Sequence, residues 1–322
     1  MRDAQHRTEL RITIWYPAAE GEVSRPIVIG PPQQPVFQVG SVAVDAPFAI
    51  DADGRRRPVI LLSHGFGGTA GVMGWFGIAM AEAGYIVISV DHPGNNGVDQ
   101  MTAPGAILWW ERAEDLKHAL EAVSHDQILG PHLDLARVGA AGFSAGGFTA
   151  LVLGGARADR EHFLRFCREH PDDGVCRPQR EFAVTETDVE HALQDPQVAA
   201  LEATAHDDHS VGSVKAVFAM APALVQGIDP ESLKAMARPV TIVAGDADTV
   251  APPATNAQVA ARLVPDARLA MLPNTGHYAF LSICTPAAAS VPICVLAGSQ
   301  EEAHRVAIVE AKELFAGYLG LP

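Results

Sequence analysis

The chain is predicted to be an α/β protein with a mostly parallel sheet covered by helices on both faces. Two patterns carry that expectation. Short apolar runs of strand length recur at residues 58–63, 85–90, 137–142, 214–219 and 240–244, and segments of helical period lie between them at 75–83, 111–123, 145–153 and 256–263. Continuous apolar runs suit strands buried on both faces, and strictly alternating strands and helices imply right-handed parallel crossovers. The length, 322 residues with 48% hydrophobic and 19% charged, allows one large core.

Residues 8–16 open the chain with a polar/apolar alternation rich in β-branched side chains, ended by Pro17, which reads as a half-buried strand near a sheet edge. A Pro- and Gln-rich passage at 31–35 precedes another extended stretch. The alternation then runs unbroken to residue 153. It stops at 161–210, where 12 Asp/Glu face only four Arg and helical pieces such as 181–193 sit between Pro171 and Pro196. We read a single domain over 1–322 with an inserted cap at 156–212; the competing reading is a solvated surface excursion. The net −8 of residues 161–210 is over half of the chain's −15, so the remaining body is closer to neutral. A strand at 268–272 follows, and Ser299 and Glu302 stand in capping-box spacing before a periodic helix through Leu319.

The acidic balance disfavours nucleic acid or an anionic membrane as partner. No apolar run approaches the roughly 20 residues of a membrane-spanning helix. The first seven residues lack the apolar core of a signal peptide, but the early first strand leaves room for a removed leader. Four cysteines fall as two close pairs, Cys167/Cys176 and Cys284/Cys294, without any Cys-x-x-Cys. That spacing favours local disulfides of a periplasmic or secreted protein over metal ligation; the alternative is a cytoplasmic protein with reduced thiols.

The chemistry is concentrated in Gly142-Phe143-Ser144-Ala145-Gly146-Gly147, a Gly-x-Ser-x-Gly at the junction of a small-residue strand and an Ala/Gly-rich helix. Such a turn presents the serine hydroxyl above a helix N-terminus, and Gly142 and Gly146 avoid collisions that a Cβ would cause. Ser144 is the candidate nucleophile. A hydroxyl needs a base, and the base an orienting carboxylate. The loop after 240–244 carries Asp246 and Asp248, and Gly276-His277 follows the next strand. The order Ser, Asp, His, each beyond the C-terminal end of a parallel strand, brings the three side chains to one sheet edge. Asp248 is assigned the orienting role, and Asp246 the bracing of its own loop.

His64-Gly65-Phe66-Gly67-Gly68 directly follows a central strand, so Phe66 N–H and Ala145 N–H are the expected oxyanion donors. Phe66, Phe143, Tyr278, Trp75 and Met73 are candidates for the substrate pocket, each also compatible with a core position. His92, in Asp91-His92-Pro93-Gly94, is read as bordering the pocket or serving structure. His64 is assigned to loop bracing, and His206-Asp207-Asp208-His209 to a solvated acidic loop without metal. No Gly-x-Gly-x-x-Gly or phosphate-binding loop is present, so no cofactor is expected.

In these motifs the chain resembles the α/β-hydrolase superfamily over nearly its whole length. Ile14-Trp15-Tyr16-Pro17, Ser63-His64-Gly65-Phe66-Gly67-Gly68, Asp91-His92-Pro93-Gly94 and the elbow resemble bacterial predicted dienelactone hydrolases related to platelet-activating-factor acetylhydrolase. Asp248-Thr249-Val250-Ala251-Pro252 resembles the acid loop of cutinases and polyester hydrolases. The resemblance implies carboxylic-ester hydrolysis through an acyl-enzyme, on a small-molecule or polymeric ester. The departures are a serine where true dienelactone hydrolase has cysteine, and Ala219-Met220-Ala221 where the platelet-activating-factor enzymes carry their acid. The same apparatus cleaves amides, so an amidase or peptidase is the alternative, with a non-catalytic binding protein behind it.

Overall fold

The computed structural model describes residues 10–50 and 54–320, so the residues before Leu10, including the beginning of the strand expected at 8–16, lie outside it. The chain runs through β1 (Arg11–Trp15), β2 (Arg25–Ile29), β3 (Phe37–Val42), β4 (Arg57–Ser63), α1 (Gly74–Glu82), β5 (Ile86–Asp91), α2 (Ala103–Ile107), α3 (Glu111–Ser124), β6 (Leu133–Phe143) and α4 (Ala145–Leu153). Three helices follow without an intervening strand: α5 (Arg160–Glu169), α6 (Glu186–Leu193) and α7 (Pro196–Glu202). The alternation resumes with β7 (Val214–Met220), α8 (Pro230–Lys234), β8 (Val240–Gly245), α9 (Ala257–Leu263), β9 (Ala267–Leu272), β10 (Ile283–Cys284) and α10 (Gln300–Leu319).

Seven strands form one sheet in the order β1-β5-β4-β6-β7-β8-β9, with β1 antiparallel at the edge and the others parallel. All seven residues of β4 are buried, and its side chains divide between two cores. Val59 and Leu61 pack with Leu116 of α3 and Leu151 of α4, whereas Ile60 and Leu62 pack with Phe76 of α1 and Phe315 of α10. A strand between two helical layers must be apolar at every position, which is why these runs were readable as central strands. Gly139 in β6 lets α10 approach closely: a Cβ there would stand 2.6 Å from Phe315 Cε1.

A second, three-stranded antiparallel sheet in the order β10-β3-β2 accounts for the extended stretch after the Pro-rich passage. Its third strand is two residues long and arrives from the far end of the chain, a pairing that no local pattern announces.

In the acidic region, α6 begins at Glu186 rather than near 181. Thr185 takes the N-cap, its hydroxyl accepting from Asp188 N–H while the Asp188 carboxylate accepts from Thr185 N–H. That reciprocal cap fixes the start of the helix and leaves the residues before it extended. At α10 only half of the expected box forms: Ser299 Oγ accepts the Glu302 N–H at 3.3 Å, but the Glu302 carboxylate turns to Arg305. Both cysteine pairs are disulfide-bonded, Cys167 to Cys176 and Cys284 to Cys294.

Candidate active site

The β6–α4 junction imposes an unusual backbone on Ser144, with φ 57° and ψ −121°. A non-glycine residue there costs about 1–3 kcal/mol, which the surroundings must offset. Ser144 N–H donates to Met220 O at 2.9 Å, and its carbonyl accepts from Gly147 and Ala223. Gly142 and Gly146 have no room for side chains: a Cβ on the first would overlap the Gly146 carbonyl, and on the second the Ser63 carbonyl.

Ser144 Oγ lies 2.8 Å from His277 Nε2, and His277 Nδ1 lies 2.6 Å from Asp248 Oδ2. The three come from the ends of β6, β8 and β9, and all are buried. Asp248 Oδ1 accepts from the backbone N–H groups of Val250 and Ala251, at 2.9 and 2.8 Å, so its other oxygen is held toward the imidazole. The histidine loop is fastened beside it by Ala247 N–H donating to Thr275 O. Asp246, by contrast, is exposed and makes no side-chain hydrogen bond among the described residues, so the loop-bracing role expected for it falls to Asp248. An imidazole that donates Nδ1–H to Asp248 leaves Nε2 facing the Ser144 hydroxyl as an acceptor.

Ala145 is the first residue of α4, where a helix N–H has no intrahelical acceptor. In the facing loop Gly67 N–H donates to Asn95 Oδ1 and Gly68 N–H to Gly65 O, which tightens the turn around Phe66. Ala145 directly follows Ser144, and Phe66 lines the same two cavities as Ser144.

Beneath this loop lies a buried polar network that no sequence spacing revealed. His92 bridges Ser63 Oγ at 2.8 Å and Asp115 Oδ2 at 2.9 Å. Arg112 donates through Nη2 to Ser63 Oγ and to the His64 carbonyl, and through Nε to Thr149 Oγ1. His64 Nε2 accepts the His92 N–H and its Nδ1 meets Gly65 O at 2.6 Å. Burial, followed by the nearby Arg112 and His92, holds the His64 pKa well below its ordinary value, so the ring is neutral, with Nδ1–H donating to the carbonyl. Burial also lowers Arg112, to about 9, with Asp115 opposing the shift; the guanidinium remains charged at neutral pH. His92 is thus 1% exposed and supports the loop from behind instead of bordering the pocket.

Two cavities meet at Ser144. One, of about 280 Å³, extends beneath α5 and is lined by Trp109, Phe163, Leu164, Phe182 and Leu224. The other, of about 210 Å³, is lined by Met73, Phe143, His277, Tyr278, Glu181 and Leu281. Phe66, Ser144, Gln179 and Val250 border both. Phe66, Phe143, Met73 and Tyr278 therefore reach the site. Trp75 does not: its indole donates to Phe280 O and stacks on His304, with ring centroids 3.6 Å apart. Tyr278 OH donates to Glu181 Oε1 at 3.2 Å, and burial together with this carboxylate raises the phenol pKa well above its usual value.

The acidic region touches both the site and the body. Asp173 Oδ2 accepts from Thr255 Oγ1 at 2.7 Å, and Gly174 packs against the Thr249 and Val250 carbonyls. His209, expected in a solvated loop, is buried between Glu114 Oε1 and Thr204 O, both at 2.8 Å. It pins the segment after α7 to α3, and burial of this pair is why the acidic composition misled.

The family described as platelet-activating factor acetylhydrolase, isoform II matches residues 13–101. No curated protein matches the chain in sequence. Among solved structures, a ferulic acid esterase from Streptomyces cinnamoneus is similar over 95% of this chain and 82% of its own, with TM-score 0.60 and 20% identity. A puromycin-hydrolyzing peptidase from Mycobacterium tuberculosis is similar over 94% of this chain and 40% of its own, with TM-score 0.53 and 15% identity. Likeness at these identities concerns the fold.

Proposed function

We propose that the chain is a serine hydrolase of the α/β-hydrolase superfamily that cleaves carboxylic esters through an acyl-enzyme, a reading supported by the family match at residues 13–101 and by the shared fold. The observation that carries this reading is the continuous line of hydrogen bonds from Ser144 Oγ through His277 to Asp248. His277 Nε2 takes the Ser144 proton as Oγ bonds to the ester carbonyl carbon. The oxygen that becomes negative is met by the Phe66 and Ala145 N–H groups, while Asp248 supports the imidazolium. On collapse the bond to the alcohol oxygen breaks and His277 returns its proton to that oxygen. Water then enters, His277 deprotonates it, and the acid leaves with Ser144 restored. The residues need no metal or cofactor for these steps.

The segment 156–212 serves in this proposal as a cap within the single domain, because α5 and the strand-less stretch before α6 line the cavity beside Ser144. The two disulfides support export to an oxidising compartment. A fluorophosphonate is expected to label the wild-type protein on one residue and to leave Ser144→Ala unlabelled. A folded wild-type sample that resists the probe and hydrolyses no activated ester overturns the reading.

A further inference from the structure

We propose that the cavity beneath α5 receives the acyl half of the substrate, and that it selects apolar acyl groups of about six to nine carbons; this rests on the hydrolase reading above. At about 30 Å³ per water-sized group, the 280 Å³ cavity holds about nine such groups.

The assignment of halves follows from where the proton must go. In a tetrahedral adduct on Ser144 the oxyanion sits at the Phe66 and Ala145 amides, and the leaving oxygen must come within reach of His277 Nε2. His277 lines the 210 Å³ cavity and not the larger one, while Ala145 lines the larger one and not the smaller. The alcohol therefore departs on the His277 side, and the acyl chain is left pointing beneath α5.

The lining supplies the selectivity. Trp109 and Phe163 meet edge to face with ring centroids 4.7 Å apart, and Phe182, Leu164 and Val175 close the chamber from the acidic segment. Two cations stand on its wall, Arg160 paired with Glu202 and Arg177 paired with Asp172, so the chamber offers no unpaired charge to an acyl carboxylate among the described residues. Each methylene that enters such a space raises kcat/KM about fourfold when its burial is realised in the transition state.

The test is a series of p-nitrophenyl esters from acetate through butyrate, hexanoate and octanoate to laurate, with phenylpropanoate, on wild type, Leu164→Trp and Phe163→Ala. Wild type is expected to gain about 250-fold in kcat/KM from acetate to hexanoate, four methylenes at about fourfold each, and to lose it again at laurate. Leu164→Trp, which fills the chamber, is expected to lower the octanoate-to-acetate ratio at least tenfold, and Phe163→Ala, which enlarges it, to move the optimum to a longer chain. A second series keeps hexanoate constant and varies the alcohol. A flat acyl series, or a Leu164→Trp effect on alcohol preference in place of acyl preference, overturns the assignment while hydrolysis itself persists. Absence of turnover on every ester, with no fluorophosphonate labelling, overturns the hydrolase reading and this assignment together.

Discussion

His92 Nδ1 lies 2.9 Å from Asp115 Oδ2, both buried, so a second serine–histidine–aspartate line, starting at Ser63, runs behind the loop His64 to Gly68. It has no access to substrate and ends on the strand that feeds Phe66 into the site. With Arg112 it fixes the His64 carbonyl and thereby the direction of the next peptide units. Asp115→Asn and His92→Gln are expected to lower kcat about 10- to 100-fold with KM changed less than threefold, because a displaced amide weakens transition-state contacts more than ground-state ones. Steady-state kinetics check this, and a change confined to KM contradicts it.

Asp248 and Asp246 differ by two positions and in every environment that matters. Asp248→Asn is expected to reduce turnover about a thousandfold or more, through loss of imidazole orientation. Asp246→Asn, at an exposed side chain, is expected to alter stability by no more than about 0.5 kcal/mol and turnover hardly at all. Parallel ester assays and urea melts separate the two.

Stability is expected to fall in acid through His304. Its ring stacks on Trp75 and donates to Leu281 O at 2.7 Å, and burial lowers its pKa to about 4 despite that bond. The folded imidazole takes a proton only near pH 4, whereas the unfolded one does so near its ordinary 6.5. The unfolded state therefore binds more protons between those values, and stability is full above about pH 6.5 and declines toward pH 4 by on the order of 3 kcal/mol. His304→Phe is expected to be less stable at pH 7.5 by about 1 kcal/mol, from the lost bond to the Leu281 carbonyl, which keeps only its Gln300 Nε2 donor, yet to show a shallower acid decline. Denaturation midpoints at pH 7.5 and 4.5 measure both.

Gly146→Ala places a methyl against the carbonyls of Ser63, the last residue of β4, and of His64 directly after it, and this buried backbone cannot yield. A loss of at least about 3 kcal/mol is expected, read as a lowered melting temperature, with no soluble active protein as the extreme.

The parallel strands and the elbow were legible because each obeys a local rule: β4 through β8 each carry a contiguous run of apolar or small residues, and Ser144 sits between glycines that the turn demands. Asp248 and His277 were legible through order along the chain. Trp75 was not, since helical spacing does not tell which face of α1 meets the site and which meets α10. The pairing of His92 with Asp115 crosses from β5 to α3, and that of β10 with β3 spans most of the chain, so neither leaves a nearby trace. His209 was misread because acidic composition suggests solvent, while a single buried histidine–glutamate contact decides its place.

Asp173 joins the acidic segment to Thr255, just past the loop that holds Asp248, and Gly174 rests on that loop's own carbonyls. The part of the molecule that shapes the larger cavity is therefore riveted to the part that aligns the imidazole. Such a layout resists modular exchange: a foreign segment grafted between β6 and β7 to change preference would also disturb the carboxylate unless it brought an equivalent of Asp173. Diversification along this lineage is then easiest by point substitution within α5, and hardest by wholesale replacement of the insert.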